Sequence, residues 1–233
     1  MALRIAADLL CPERCAACPA LVPPERLFCT LCRTRVRELG PPECGPCGCP
    51  LPPSGRCREC NGAPRAIRTA RAWAAYHHPA GASPVAQAIA RFKYGGARRL
   101  GRRFAAVIVP RVADAAFDLV VPVPLHPRRL RARGFNQSAI LARQVAPRLG
   151  CPTMPLLVVR TRDTPSQTAL APRERAANVA GAFALRDPAA VRDRTVLVVD
   201  AVWTSGSTTR AVATALRAAG ATAVDVLTIA RVL

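Results

Sequence analysis

Two groups of residues in this sequence could do chemistry, and the first is a run of cysteines. Ten of the eleven cysteines fall in the first sixty residues, and only Cys151 lies beyond them. Eight form four CxxC pairs: Cys15/Cys18, Cys29/Cys32, Cys44/Cys47 and Cys57/Cys60. A CxxC turn lets two thiolates reach one tetrahedral metal, and two such turns complete a closed, four-thiolate structural zinc site. Taken in chain order the pairs give two Zn²⁺ sites, although interleaved pairing satisfies the same spacing. Cys11 and Cys49 are surplus, available as substitute ligands or as buried thiols. A catalytic zinc is disfavoured, because four thiolates leave no open coordination position.

The second group is Val196-Leu-Val-Val-Asp200 followed by Ala201-Val-Trp-Thr-Ser-Gly-Ser-Thr208. An apolar strand, a short loop of hydroxyls and glycine, and a helix start make an anion cradle, because backbone N–H groups and the helix dipole face the loop. Thr204, Ser205, Ser207 and Thr208 add hydroxyl donors, and Gly206 lets the backbone approach a phosphate closely. Asp200, placed at the strand end, is positioned to accept hydrogen bonds from sugar hydroxyls. Earlier in the chain Arg128, Arg129, Arg131 and Arg133 fall within six residues. Their guanidinium groups suit a pyrophosphate, each able to grip phosphate oxygens bidentately. His126 beside them reads equally as a proton donor, a phosphate contact or a structural residue.

These groups need a scaffold, and the pattern between them supplies one. Ser83-Pro84 reads as a helix start, with Val85, Ile89 and Phe92 at helical spacing and Gly95-Gly96 as the stop. A second helix is expected from about 98 to 113 and a third from about 136 to 147. Strands are expected at 70–76, 117–124, 155–160, 181–185, 195–200 and 223–230, and a helix at 209–219. The segment 161–178 reads as a long loop or hood. Strands alternating with helices, the later strands apolar throughout, predict an α/β fold with a parallel sheet flanked by helices. Ligands of such sheets bind beyond the carboxyl ends of the strands. Residues 1–64 hold too few large apolar side chains for a core of their own, so they read as a metal-held module preceding a domain at 65–233.

Net charge is +20, carried by 33 arginines and a single lysine, Lys93. The preference for Arg over Lys fits codon bias, whereas the excess of basic over acidic residues does not follow from it. Residues 91–148 hold thirteen basic side chains against Asp114 and Asp118, a local net of +11. Such a stretch suits phosphorylated metabolites or a nucleic-acid backbone. Phe92, Tyr94 and Phe135 are available there to stack on the bases of single-stranded DNA, with Arg98, Arg99, Arg102 and Arg103 as phosphate contacts. No stretch approaches the roughly 18–20 apolar residues of a membrane span. The first ten residues lack the pattern of a secretory signal, so a cytoplasmic location is expected.

The loop after Asp200 is similar to that of the type I phosphoribosyltransferases. That likeness implies a 5′-phosphate on residues 204–208 and ribose hydroxyls on an acidic pair, of which only Asp200 is present and Ala201 replaces the second acid. Replacing Ala201 with Asp is then expected to strengthen binding. Over nearly its whole length the chain resembles the ComF family of competence proteins and the related GntX proteins. The matching stretches are Phe92-Lys-Tyr-Gly95, Pro122-Val-Pro-Leu-His126, Arg133-Gly-Phe-Asn-Gln137, Gln167-Thr-Ala-Leu170 and Arg175-Ala-Ala-Asn178, together with the loop and the CxxC array. The resemblance implies a type I phosphoribosyltransferase-like sheet behind a double zinc ribbon. It implies Mg²⁺ with phosphoribosyl pyrophosphate or a related phosphosugar or nucleotide, with Arg128, Arg129 and Arg133 opposite the pyrophosphate. It also implies a link to DNA uptake in natural transformation, with single-stranded DNA and competence-machinery proteins as partners.

Overall fold

Four apolar runs build the central sheet of the computed structural model, which describes residues 13–57, 59–60, 66–79, 81–163 and 177–233. A short helix α1 (Thr30–Thr34) is followed by strand β1 (Thr69–Ala75), helices α2 (Pro84–Tyr94) and α3 (Leu100–Ile108), and strand β2 (Leu119–Pro122). Helices α4 (Pro127–Arg133) and α5 (Gln137–Val145) precede the short strands β3 (Val158–Arg160) and β4 (Phe183–Leu185). Strand β5 (Thr195–Trp203), helix α6 (Ser207–Ala218) and strand β6 (Ala223–Arg231) complete the order. The sheet runs β1-β6-β5-β2, every neighbouring pair parallel.

Both faces of this sheet are covered, which is why its strands read as continuous apolar runs. Val120, Leu197, Val199, Leu227 and Ile229 meet α2, α3 and α5 on one face. Leu119, Val121, Val196, Val198, Val224 and Val226 meet α6, β3 and β4 on the other. Helix α2 forms where the sequence places it: Ser83 caps it by accepting from the Ala86 N–H at 3.3 Å, and Pro84 opens it. Val85, Ala88, Ile89 and Phe92 are then buried along one stripe. Val85, Ile89 and Phe92 each contribute about 1.5–3 kcal/mol. Phe92 is fully enclosed against Phe104, so it cannot stack on a base as the sequence suggested.

Three further expectations are corrected. The strands at 158–160 and 183–185 pair with each other antiparallel, outside the parallel sheet. Strand β5 does not end at Asp200; it runs three residues further, with Val202 paired to Ala230 and Trp203 to Arg231. The arginine-rich stretch is not a loop but helix α4, because His126 accepts from the Arg128 N–H, Pro127 takes the first helical position and Gly134 (φ 77°) closes it. The segment 164–176, which includes Gln167 and Arg175, lies outside the described residues, as do Cys11 and the expected domain boundary at 64/65.

The cysteine-rich segment grips the edge of the sheet. Residues 37–39 run antiparallel to β1: the Leu39 N–H donates to the Trp73 carbonyl and the Ala75 N–H to the Arg37 carbonyl, each at 2.8 Å. That pairing covers an edge that would otherwise offer unsatisfied backbone groups. Cys15, Leu27 and Phe28 join the core on one face of the sheet, and Cys44 and Cys47 join the core on the other. Arg103, 3% exposed, ties the first half of the segment to α3 through the carbonyls of Arg14, Arg26 and Leu27 and the carboxylate of Glu13. Arg103 is therefore an anchor, not a surface contact for DNA.

Candidate functional site

The turn between β5 and α6 is built around one glycine. Gly206 adopts φ 74°, which lets the chain reverse from strand to helix without the strain a side chain would bring. A Cβ there would also lie 2.6 Å from Trp203 Cε2, because the Trp203 indole packs directly beneath the turn. Ser205 and Ser207 share a hydroxyl–hydroxyl bond of 2.8 Å, and the Ser207 N–H donates to Ser205 Oγ. Thr209 Oγ1 donates to the Gly206 carbonyl, and Arg210 donates to the Ser205 carbonyl at 2.6 Å. Thr204, in the bend before the helix, is exposed, and Thr208, on the first turn of the twelve-residue helix, is half-buried. The turn gathers backbone N–H groups, hydroxyls and a helix N-terminus within a few residues, features that suit an oxyanion.

Asp200 stands three residues before the end of β5. Its Oδ1 accepts from Ser138 Oγ at 2.8 Å and from the Ala201 N–H at 2.7 Å. Burial raises its carboxyl above the usual range, opposed by the charge of Lys93, these hydrogen bonds and Arg133. Lys93 feels the converse: burial lowers its ammonium, and Asp200 works against that shift. Sequence reasoning missed Lys93 and Ser138 as site residues. The signal for Lys93 was its being the only lysine among 34 basic residues, at a position where a compact ammonium fits beside Asp200. Ala201 is fully enclosed in the core with Phe92, Leu141 and Leu227. An acid at 201 would enter that core.

The four arginines do not converge. Arg129 and Arg133 line a cavity of about 680 Å³ with Lys93, Tyr94, Arg98 and Phe135. Arg133 lies over the Tyr94 ring at 4.9 Å and Arg98 over Phe135 at 4.8 Å. Arg128 instead pairs with Asp163 at 3.1 Å, and Arg131 is exposed. His126 caps α4 and contacts Asp163 at 3.2 Å, a structural role. A larger hollow of about 870 Å³ at the other end of the sheet holds cations already paired, Arg68 with Asp225 and both Arg71 and Arg111 with Glu43.

The cysteines assemble in chain order. Cys15, Cys18, Cys29 and Cys32 form one tetrad and Cys44, Cys47, Cys57 and Cys60 a second, the sulfurs of each within 4.8 Å of one another. In the first tetrad burial works to raise the Cys15 thiol, but backbone N–H groups outweigh it and lower it to about 7, while Cys32 is pushed up, burial first. The second repeats this: Cys57 falls to about 7 and Cys47 rises. Four crowded thiols cannot all ionise without a cation, and four sulfurs at this spacing fit zinc. Cys49 lies outside the tetrad and donates to Glu59 at 3.2 Å.

The comparisons agree with this architecture. Residues 136–232 match the phosphoribosyl transferase domain family. The DNA utilization protein YhgH of Salmonella typhi is 33% identical over 216 residues, which cover 88% of this chain and 91% of that protein. The chain belongs to the ComF family. Another member, competence protein F of Haemophilus influenzae, is 28% identical over 217 residues, 88% of this chain and 90% of that one. The glutamine phosphoribosylpyrophosphate amidotransferase of B. subtilis shows a partial likeness, with TM-score 0.40 and 21% identity over 59% of this chain and 30% of that chain. Among the described residues of this ComF-family chain no helix is long and apolar enough to cross a membrane.

Proposed function

We propose that the chain binds phosphoribosyl pyrophosphate, or a related phosphosugar or nucleotide, at the turn between β5 and α6. The carrying observation is the cradle itself: Gly206 seated on Trp203, hydroxyls at 204, 205, 207 and 208, and Asp200 oriented by Ser138. The 5′-phosphate would sit on residues 204–208 and the ribose hydroxyls on Asp200. The pyrophosphate would face Arg129 and Arg133, with Arg128 released from Asp163 to join them. Those cations would stabilise the charge that leaves when the bond from ribose C1 breaks. Mg²⁺ takes one or two protein carboxylates plus substrate phosphates, and Asp200 is the carboxylate available. Residues 1–64 would act as the zinc-held module and 65–233 as the phosphoribosyltransferase-like domain, in the cytoplasm.

Binding of single-stranded DNA is the second reading. Tyr94, 75% exposed, and the exposed side of α3 with Arg99 and Arg102 favour it, as do the names of the DNA-utilization and competence relatives. Protein partners in the competence machinery belong to the same reading.

Calorimetry with Mg²⁺ and phosphoribosyl pyrophosphate on wild type, Asp200→Ala and Thr208→Val tests the first reading. Asp200→Ala should remove most of the affinity, and the near-isosteric Thr208→Val should weaken it. Equal affinities in all three would defeat the reading. Gly206→Val would not be a clean probe, because its side chain would strike Trp203 before meeting any ligand.

A further inference from the structure

We infer that Arg231 and Trp203 are positioning residues that brace the phosphate loop against the second cysteine tetrad, so that zinc in that tetrad and a phosphate on the loop favour one another. Arg231 ends β6 with its side chain 1% exposed. Its guanidinium donates to the Cys47 carbonyl and to the carboxylate of Glu59, which lies between the ligands Cys57 and Cys60. The same guanidinium lies over the Trp203 indole, 5.7 Å from the ring centroid. Trp203 in turn fills the space beneath Gly206. Arg210, 5.4 Å above the same indole, donates to the Ser205 carbonyl. One chain of contacts therefore runs from the metal knuckle to the loop backbone, and the surplus Cys49 steadies it by donating to Glu59.

A buried guanidinium makes this chain sensitive to the metal. Its burial is tolerated only while good partners surround it. Both partners belong to a segment whose order depends on thiolate–metal bonds, since it has little apolar core of its own. When those bonds are lost, the Cys47 carbonyl and Glu59 are free to move. Arg231 must then seek other partners, and the indole beneath Gly206 loses its seat. The loop has little slack to absorb that shift, because Gly206 already holds a left-handed conformation in contact with the ring. The knuckle, ordered or loosened, is the two-state element that both ligands bias.

The chain's two tryptophans separate the halves of the molecule. Trp73 stacks on Phe28 at 6.2 Å beside the first tetrad, and Trp203 reports on the second. Zinc-loaded full-length protein carrying 5-fluorotryptophan gives two ¹⁹F resonances, assigned with Trp73→Phe. Cys57→Ser, or stepwise chelation of the wild type if that variant does not fold, should move the Trp203 resonance. Arg231→Ala with both zincs bound should move it too, leave the Trp73 resonance in place and weaken Mg-phosphoribosyl pyrophosphate about tenfold; removing the second zinc from wild type should weaken the ligand as well, and the ligand should tighten zinc at the second tetrad by that same zinc-dependent ratio. Arg231→Lys should recover part of the loss. Glu59→Gln, a milder surface change, should shift the same resonance less. A Trp203 resonance indifferent to removal of the second zinc, or an Arg231→Ala protein with wild-type affinity, would overturn the brace. The ligand arm rests on the phosphate-loop reading: if wild type binds no phosphoribosyl pyrophosphate that reading fails, and the response of Trp203 to zinc still decides the brace.

Discussion

Ser138 Oγ donates a 2.8 Å hydrogen bond to Asp200 Oδ1, joining the first turn of α5 to the acid of β5. The Ala201 N–H donates to the same oxygen, so both bonds fall on one side of the carboxylate and orient the other. Ser138 is itself fully enclosed. Ser138→Ala should remove a bond to a charged group, about 1.5–3 kcal/mol. Calorimetry should show most of that as lost ligand affinity, with urea denaturation reporting a smaller change in stability.

The raised carboxyl of Asp200 has a consequence for stability. A group whose folded pKa lies above its unfolded value stabilises the fold below the unfolded value and loses that contribution as pH rises through the folded one. Burial is the main cause here, and the facing charges, Lys93 and Arg133, only partly offset it. Asp200→Asn should therefore gain stability over wild type at pH 7. The gain should shrink as pH falls through the raised folded value towards about 4, the unfolded value, and be absent below it. Thermal melts between pH 3 and 7 check the sign; a constant difference would refute it.

Ala201→Asp should not restore a site. The position is fully enclosed among apolar side chains, so a carboxylate there is either desolvated or protonated. The expected loss is several kcal/mol of stability. Chemical denaturation measures it, and a tighter-binding, normally stable variant would contradict it.

Arg102 and Arg103 are neighbours with opposite roles. Arg103→Ala should cost about 3–5 kcal/mol, because it removes the anchor between α3 and the first tetrad's segment. Arg102, exposed, should tolerate Ala with little loss of stability. If single-stranded DNA follows this face, Arg102→Ala should reduce the salt slope of binding by about one.

Two equivalents of zinc per chain are expected by elemental analysis. Each thiolate ligand must shed its proton, so affinity should fall as pH drops, most steeply below the value of about 7 to which Cys15 and Cys57 are lowered. Release of zinc to a chromophoric chelator, followed from pH 8 to 5, should rise steadily. A flat profile would argue against thiolate ligation.

Much of this was legible because local chemistry and global fold agree. The CxxC spacing foretold two four-cysteine sites though not which pairs share them, and Ser83-Pro84 with Val85, Ile89 and Phe92 foretold a helix and its buried stripe. What misled were facts that only packing decides. Nothing in Asp-Ala-Val-Trp shows that β5 continues past Asp200, since the continuation depends on pairing with Ala230 and Arg231. Arg103 reads like its exposed neighbours until the carbonyls of Arg14, Arg26 and Leu27 close around it. Phe92 looks like a stacking ring beside Lys93 and Tyr94, yet helical phase turns it inward. The hydroxyl of Ser138 and the indole of Trp203 act on residues 62 and three positions away, respectively, and only the first separation crosses the fold.

Strand β6 is last in order along the sheet-forming chain but lies between β1 and β5. A nascent polypeptide with everything up to residue 220 outside the ribosome thus holds β1 separated from β5 and β2, with a vacant slot where their shared neighbour belongs. The early-made cysteine segment already pairs with the outer side of β1, so the side of that strand left open is the inner slot. Synthesis of the final strand would then knit the two halves in one step. Arg231, at the end of that strand, reaches Cys47 and Glu59 only once β6 is in place, so the tie to the second tetrad is made after those of Arg103 and of residues 37–39.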